Sequence, residues 1–100
     1  MVKKQVTVLA RFRAKKGSEA ELAEVLGELA AEARHDQGCL AFELLQNKKD
    51  PTLFMYHEVW SSQADLDNHV KMPYLPGYRE RRAPLLDGDP EVTWWGALAS

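Results

Sequence analysis

Apolar and polar residues alternate from Val6 to Arg13. Val6, Val8, Ala10 and Phe12 fall on one face, and Thr7, Leu9, Arg11 and Arg13 on the other. A period of two with β-branched residues predicts a strand. Lys15-Lys16-Gly17 is a turn, and Ser18 with Glu21 reads as an S-x-x-E capping box. Behind it Leu22, Val25, Leu26, Leu29, Ala30 and Ala33 recur at helical spacing, with Glu21, Glu24, Glu28 and Glu32 on the opposite face. That is an amphipathic helix. Arg34 and His35 suit its negative C-terminal end, and Gly38 supplies a stop. Gly27 lies mid-helix at a cost of about 1 kcal/mol against Ala, which close backbone packing would offset.

A second alternation follows, Leu40, Phe42 and Leu44 against Ala41, Glu43 and Leu45. Asn47-Lys48-Lys49-Asp50-Pro51 carries turn residues, and Leu53 to Trp60 is a third strand, so strands two and three form a hairpin. Ser62 and Asp65 open a second helix with Leu66, His69 and Val70 on one face. Pro73 must end or kink it. Tyr74-Leu75-Pro76-Gly77-Tyr78 reads as an irregular break, followed by a short helix to about Ala83. After the turn Asp87-Gly88-Asp89-Pro90, Val92 to Leu98 is the last strand.

The order β-α-β-β-α-β is the split βαβ plan, an α+β ferredoxin-like domain with a four-stranded antiparallel sheet and its helices on one face. Strand three should lie between strands one and two. The helix side then takes Val6, Val8, Phe12, Leu40, Phe42 and Leu44. The other side takes Thr7, Leu9, Arg11, Ala41, Glu43, Leu45, Met55, His57 and Val59. This second face is too apolar for water and has no helix of its own. A partner sheet in a two-fold homodimer is the economical cover. His57 should sit there between Arg11 and Glu43 in an ion-pair network.

Composition narrows the function classes. The 100 residues fit one domain, with an ordinary globular balance of 45% hydrophobic and 28% charged residues. A formal net charge of −2 gives no field favouring nucleic acid or an anionic membrane. The basic run Arg79, Arg81 and Arg82 reads as a solvated helix face. The single cysteine, Cys39, cannot form an internal disulfide and reads as a buried structural thiol. His35 is expected at the surface. The basic start Met1 to Gln5 is followed by an apolar stretch that ends at Arg11, too short for a secretory signal, and no segment approaches a membrane span. A cytoplasmic protein is the expectation.

Several segments together resemble the antibiotic biosynthesis monooxygenase superfamily, a group of dimeric α+β barrels, over the whole length of the chain. They are Val6 to Phe12 running into Lys16-Gly17-Ser18-Glu19, then Gly38-Cys39-Leu40-Ala41-Phe42-Glu43-Leu44, and most specifically Tyr56-His57-Glu58-Val59-Trp60-Ser61-Ser62 with Leu66-Asp67-Asn68-His69 and Met72-Pro73-Tyr74. The resemblance implies fold better than reaction. The superfamily includes cofactor-independent oxygenases of quinol-like aromatics, heme-degrading enzymes and a signal isomerase, so function must be argued from the site. The heme-degrading branch is set aside residue by residue. Its functional Asn falls here on Ala10, and its heme-ligating His falls on Arg79.

Phe54, Tyr56, Glu58 and Trp60 share one face of strand three, expected to be the helix side, under the helix that presents His69. A pocket walled by Phe42, Tyr56, Trp60, Tyr74 and Tyr78, with Glu58 and His69 as its titratable pair, suits a planar aromatic ligand. His69 can serve as a general base oriented by a carboxylate partner. The Tyr74/Tyr78 segment reads as a lid. Deprotonating a quinol or hydroxyaromatic makes an electron-rich anion able to give an electron to O2, so the expected function is a cofactor-independent monooxygenase. An acid-base isomerase or a non-catalytic binding dimer would use the same residues. No two histidines have metal-ligand spacing and there is no Gly-rich phosphate loop, so no metal, flavin or nucleotide is expected.

Overall fold

The computed structural model describes residues 4–99. The strands are β1 (Val6–Arg13), β2 (Cys39–Gln46), β3 (Leu53–Trp60) and β4 (Glu91–Trp95), and the helices are α1 (Glu19–Ala33), α2 (Gln63–His69) and α3 (Leu75–Arg82). All pairings are antiparallel and the sheet order is β2-β3-β1-β4. β3 therefore lies between β1 and β2, as the alternation requires, in the ferredoxin-like arrangement.

Side-chain period sets the two faces. Val8, Ala10 and Phe12 of β1, Phe42 of β2, and Phe54, Tyr56, Glu58 and Trp60 of β3 are buried beneath the helices. Against them α1 buries Leu22, Val25, Leu26, Leu29, Ala30 and Ala33, the six positions of its apolar stripe. Trp60, Leu22 and Leu26 are the largest fully enclosed side chains and mark the centre of the core. No helix among the described residues is long and apolar enough to cross a membrane. Met1 to Lys3, part of the basic start, lies outside the described residues.

Local details depart from the sequence pattern, each for an identifiable reason. The register of β2 against β3 shifts between Cys39 and Ala41. Leu40 is the extra residue of that bulge and is 55% exposed instead of joining the helix side. Ser18 precedes α1 but its hydroxyl makes no cap hydrogen bond. The Glu19 carboxylate instead accepts the Gly17 N–H at 2.5 Å, so the capping box with Glu21 does not form. Gly27 is not forced by close packing, since a Cβ there would meet only Leu44 Cδ2 at 4.0 Å. The irregular break is shorter than expected. Tyr74 caps α3 and Pro76 sits in its first turn, where a missing N–H costs nothing. β4 ends at Trp95 rather than Leu98, and Val70, the C-cap of α2, is half-exposed at the rim of the helix layer.

The face of the sheet away from the helices carries Leu9, Leu45, Met55 and Val59, each partly exposed, with Trp95 of β4 55% exposed beside them. Leu9, His57 and Glu43 lie in one row across β1, β3 and β2. His57 Nδ1 is 3.1 Å from Glu43 Oε1. Arg11 does not complete that cluster. Its cross-strand neighbours are Met55 and Glu91, and it pairs with Glu91 at 3.7 Å.

Candidate functional site

The site lies where two connections meet at one end of the sheet. Cys39 opens β2 opposite Trp60, the last residue of β3. The α1–β2 connection and the β3–α2 connection are thus side by side, joined by the Ser61 N–H donating to the Gly38 carbonyl at 2.8 Å. Gly38 has φ +81°, and a Cβ there would run into the Asp65 carboxyl. Asp65 is held by the Ser61 and Ser62 hydroxyls, while Ser62 Oγ accepts the Asp65 N–H at 3.2 Å to cap α2. Only glycine fits this junction without strain.

That junction brings Asp36 to His69. Asp36 Oδ2 is 2.7 Å from His69 Nδ1, with the two side chains 9% and 7% exposed. The Tyr74 hydroxyl donates to the same oxygen at 2.5 Å. With Nδ1–H donating to the carboxylate, the lone pair sits on Nε2, which has no protein partner among the described residues. The imidazole is fixed from a second side by Trp60, whose indole stacks on it with centroids 4.5 Å apart and planes 27° from parallel. Trp60 Nε1–H in turn donates to Glu58 Oε1 at 3.0 Å. Burial pushes the Glu58 carboxyl up to about 7, opposed by the Trp60 hydrogen bond and by the charge of Arg82.

The sequence suggests Glu58 and His69 as the titratable pair of the pocket, with a carboxylate to orient the imidazole. They are not bonded to each other: Trp60 stands between them, and the carboxylate partner of His69 is Asp36. Asp36 sits in the polar stretch after α1, where an aspartate reads as a turn residue, so periodicity does not single it out. The available signal was topological, since the strand order already placed that stretch beside the start of α2.

Glu58 and His69 both line a cavity of about 240 Å³ between the sheet and the helices. Its walls include Phe12, Phe42, Tyr56, Leu66 and Leu75, and its β4 side is formed by Pro90, Val92 and Trp94. Phe42 and Tyr56 are therefore on the wall, as expected. Trp60, Tyr74 and Tyr78 are not. Trp60 backs His69, and Tyr74 and Tyr78 meet edge to face at 6.0 Å on α3 and its cap. The expected lid is thus helix, with Tyr74 tied down by Asp36. Tyr56 is itself anchored, its hydroxyl donating to the Leu26 carbonyl at 2.6 Å, and burial raises its ionisation far above the ordinary phenol range.

Two residues assigned only to a solvated face also line the cavity, Arg79 and Arg82 of α3. The Arg82 guanidinium lies 4.8 Å over the Phe12 ring, and burial lowers its pKa from the ordinary value. Cys39 is half-buried against the core rather than fully enclosed. Burial, then the charges of Glu58 and Asp36, push its thiol up, which disfavours a nucleophilic thiolate. His35 is exposed. Among the described residues no three His, Cys, Asp or Glu side chains converge as metal ligands would.

A one-sided helix layer on this sheet, with an aromatic cavity and a buried His–Asp pair between the layers, defines an α+β ferredoxin-like domain with a small-molecule-sized pocket. The family model for antibiotic biosynthesis monooxygenase matches residues 5–81, and the chain belongs to that family. Solved structures agree with this at the level of the fold. PA3566 from Pseudomonas aeruginosa superimposes with a TM-score of 0.88 at 26% identity, covering 99% of each chain. Rv0793 from Mycobacterium tuberculosis gives 0.88 at 25% identity, covering 96% of this chain and 97% of that one. SnoaB from Streptomyces nogalater, a cofactor-independent oxygenase, gives 0.87 at 20% identity, covering 97% and 96%. An uncharacterized protein of Synechocystis is 23% identical over 87 residues, and this chain spans only 59% of its length.

Proposed function

We propose that the chain is a cofactor-independent monooxygenase that oxidises a small quinol-like or hydroxyaromatic substrate with O2. The observation that carries this reading is the His69–Asp36 pair at 2.7 Å on the wall of an aromatic cavity. Asp36 fixes the tautomer and steadies the imidazolium that forms, so Nε2 can take the hydroxyl proton of a bound substrate. The resulting aryloxide is electron-rich and passes an electron to O2. Recombination at a ring carbon bearing hydrogen forms a C–O bond. Loss of water then leaves a quinone, so that phenol plus O2 becomes quinone plus water. The substrate supplies all four electrons, one oxygen atom enters the ring, and the other leaves as water.

The remaining site residues support this chemistry. Glu58, titrating near neutrality beside the cavity, is able to return a proton to the departing oxygen. Phe12, Phe42 and Tyr56 offer ring faces and edges to a planar substrate. Family membership and the likeness to SnoaB are consistent with it. The same reading includes a homodimer, in which the open sheet face with Leu9, Leu45, Met55 and Val59 is covered by a second copy, and a cytoplasmic setting. Oxygen uptake with a panel of quinols and hydroxynaphthalenes, in buffer containing a chelator and no added flavin, tests the proposal. Substrate-dependent consumption of one O2 per quinone formed, with no hydrogen peroxide released, supports it. Binding of these aromatics with no oxygen consumed would make the chain a binding protein instead.

A further inference from the structure

α3 carries three arginines, and they divide by environment. Arg81 is paired, its guanidinium 2.6 Å from Glu28 and 5.6 Å over the Tyr78 ring. Arg79 and Arg82 lie on the cavity wall instead. No carboxylate of the described residues lies within 4 Å of either guanidinium, Glu58 across the cavity and Asp89 of the adjoining turn included. Neither makes a side-chain hydrogen bond to another described residue. Arg82 is half-buried on the Phe12 ring and Arg79 is exposed, and no nitrogen of either is buried without a partner, so both guanidiniums stay open to a ligand that enters the cavity. The rest of the wall is apolar or aromatic, and the other polar groups on it are Glu58 and His69.

We propose that the substrate of this cavity is an aromatic acid, a hydroxyaromatic ring bearing a carboxylate that Arg79 and Arg82 hold while the hydroxyl faces His69. The proposal rests on the cavity being the substrate site. Guanidinium and carboxylate match as planar forks, so a pair of arginines fixes the orientation of a ring as well as its charge. The ring then lies among Phe12, Phe42 and Tyr56. A cavity of about 240 Å³ falls just below the usual range of ligand sites, which run from about 300 Å³ upward. That size limits the acid to one or two fused rings.

Calorimetric titration of the folded protein tests this without reading turnover, so its outcome is separate from that of oxygen uptake. The probes are a hydroxynaphthoate, the naphthol that lacks the carboxylate, and inorganic phosphate as an anion without a ring. The hydroxynaphthoate should bind about tenfold or more tighter than the naphthol, the scale of hydrogen bonds to a charged group. Phosphate should compete only weakly. Arg82→Met should abolish the preference for the acid, read as the ratio of the two affinities measured on the same variant, and Arg82→Lys should restore part of it. Arg79→Met, on the exposed edge of α3, should reduce the preference several-fold and decides the matter if Arg82→Met does not fold. Equal affinity for acid and naphthol, or a preference that survives both methionine variants, would overturn the proposal.

Discussion

His69 Nδ1 and Asp36 Oδ2 lie 2.7 Å apart although they are 33 positions apart in the chain. The pair is enclosed, and the Tyr74 hydroxyl occupies the same carboxylate oxygen at 2.5 Å. The carboxylate thus has two donors and the imidazole one fixed orientation. Asp36→Asn keeps the shape but removes the charge that steadies an imidazolium. It should lower kcat by about tenfold or more with KM little changed. Tyr74→Phe, which leaves the Asp36–His69 bond in place, should be milder. Steady-state kinetics of the two variants beside wild type makes the comparison. A KM effect without a kcat effect in Asp36→Asn would assign Asp36 to binding instead.

Glu58 gives the fold a pH dependence of unusual sign for a carboxyl. Its folded pKa is raised from 4.5 to about 7 by burial, so between those values the folded state holds a proton that the unfolded chain releases. This contribution to stability is fully present below the unfolded value and is lost as pH rises through about 7. A shift of that size corresponds to about 3 kcal/mol. Glu58→Gln, still able to accept from Trp60 Nε1, should flatten the decline and be more stable than wild type at pH 8. Urea unfolding at pH 5, 6, 7 and 8 reads this out, and parallel pH dependences for the two proteins would refute it.

The open face of the sheet should be an interface between copies. Static light scattering at micromolar concentration should give about twice the monomer mass. Leu45→Arg should weaken association, because an unpaired charge desolvated in an interface costs several kcal/mol. Glu43→Ala should act in the same direction but less, by depriving His57 of its acceptor. A monodisperse monomer in the wild type removes this part of the account.

Gly38 should tolerate no side chain. Its φ is +81° and the Asp65 carboxyl, fixed by Ser61 and Ser62, fills the space a Cβ would need. Gly38→Ala should destabilise by about 1–3 kcal/mol. It should also reduce activity by disturbing the junction that sets Asp36 against His69. Thermal unfolding within a degree of wild type would show that the junction relaxes more easily than this packing allows.

Much of the fold could be read from alternation. The apolar stripe of α1 and the inward set Phe54, Tyr56, Glu58 and Trp60 follow from periods of 3.6 and 2, because each period corresponds to one buried face. Leu40 broke the pattern because a bulge adds a residue without changing the hydrophobic sequence, and register is a property of two strands rather than one. Of the site, Glu58, His69, Phe42 and Tyr56 could be placed because they sit on regular elements. Asp36, Arg79 and Arg82 could not. Asp36 acts only through a contact made by the path of the chain. The two arginines share a charged segment with Arg81; their i, i+3 spacing puts them on one face of α3, but only the packing of α3 shows that this face meets the cavity while Arg81 reaches Glu28.

The central claim is that His69, oriented by Asp36, removes a proton from a hydroxyaromatic so that it reacts with O2. The direct measurement is oxygen consumption by wild type and His69→Ala with the best quinol or hydroxynaphthalene substrate. Circular dichroism would confirm that both are folded. Wild type should consume one O2 per quinone formed without releasing hydrogen peroxide, and His69→Ala should be slower in kcat by about 100-fold or more, the scale of a lost general base. Full activity in folded His69→Ala, or no oxygen consumed by wild type with any member of the panel, would contradict the account.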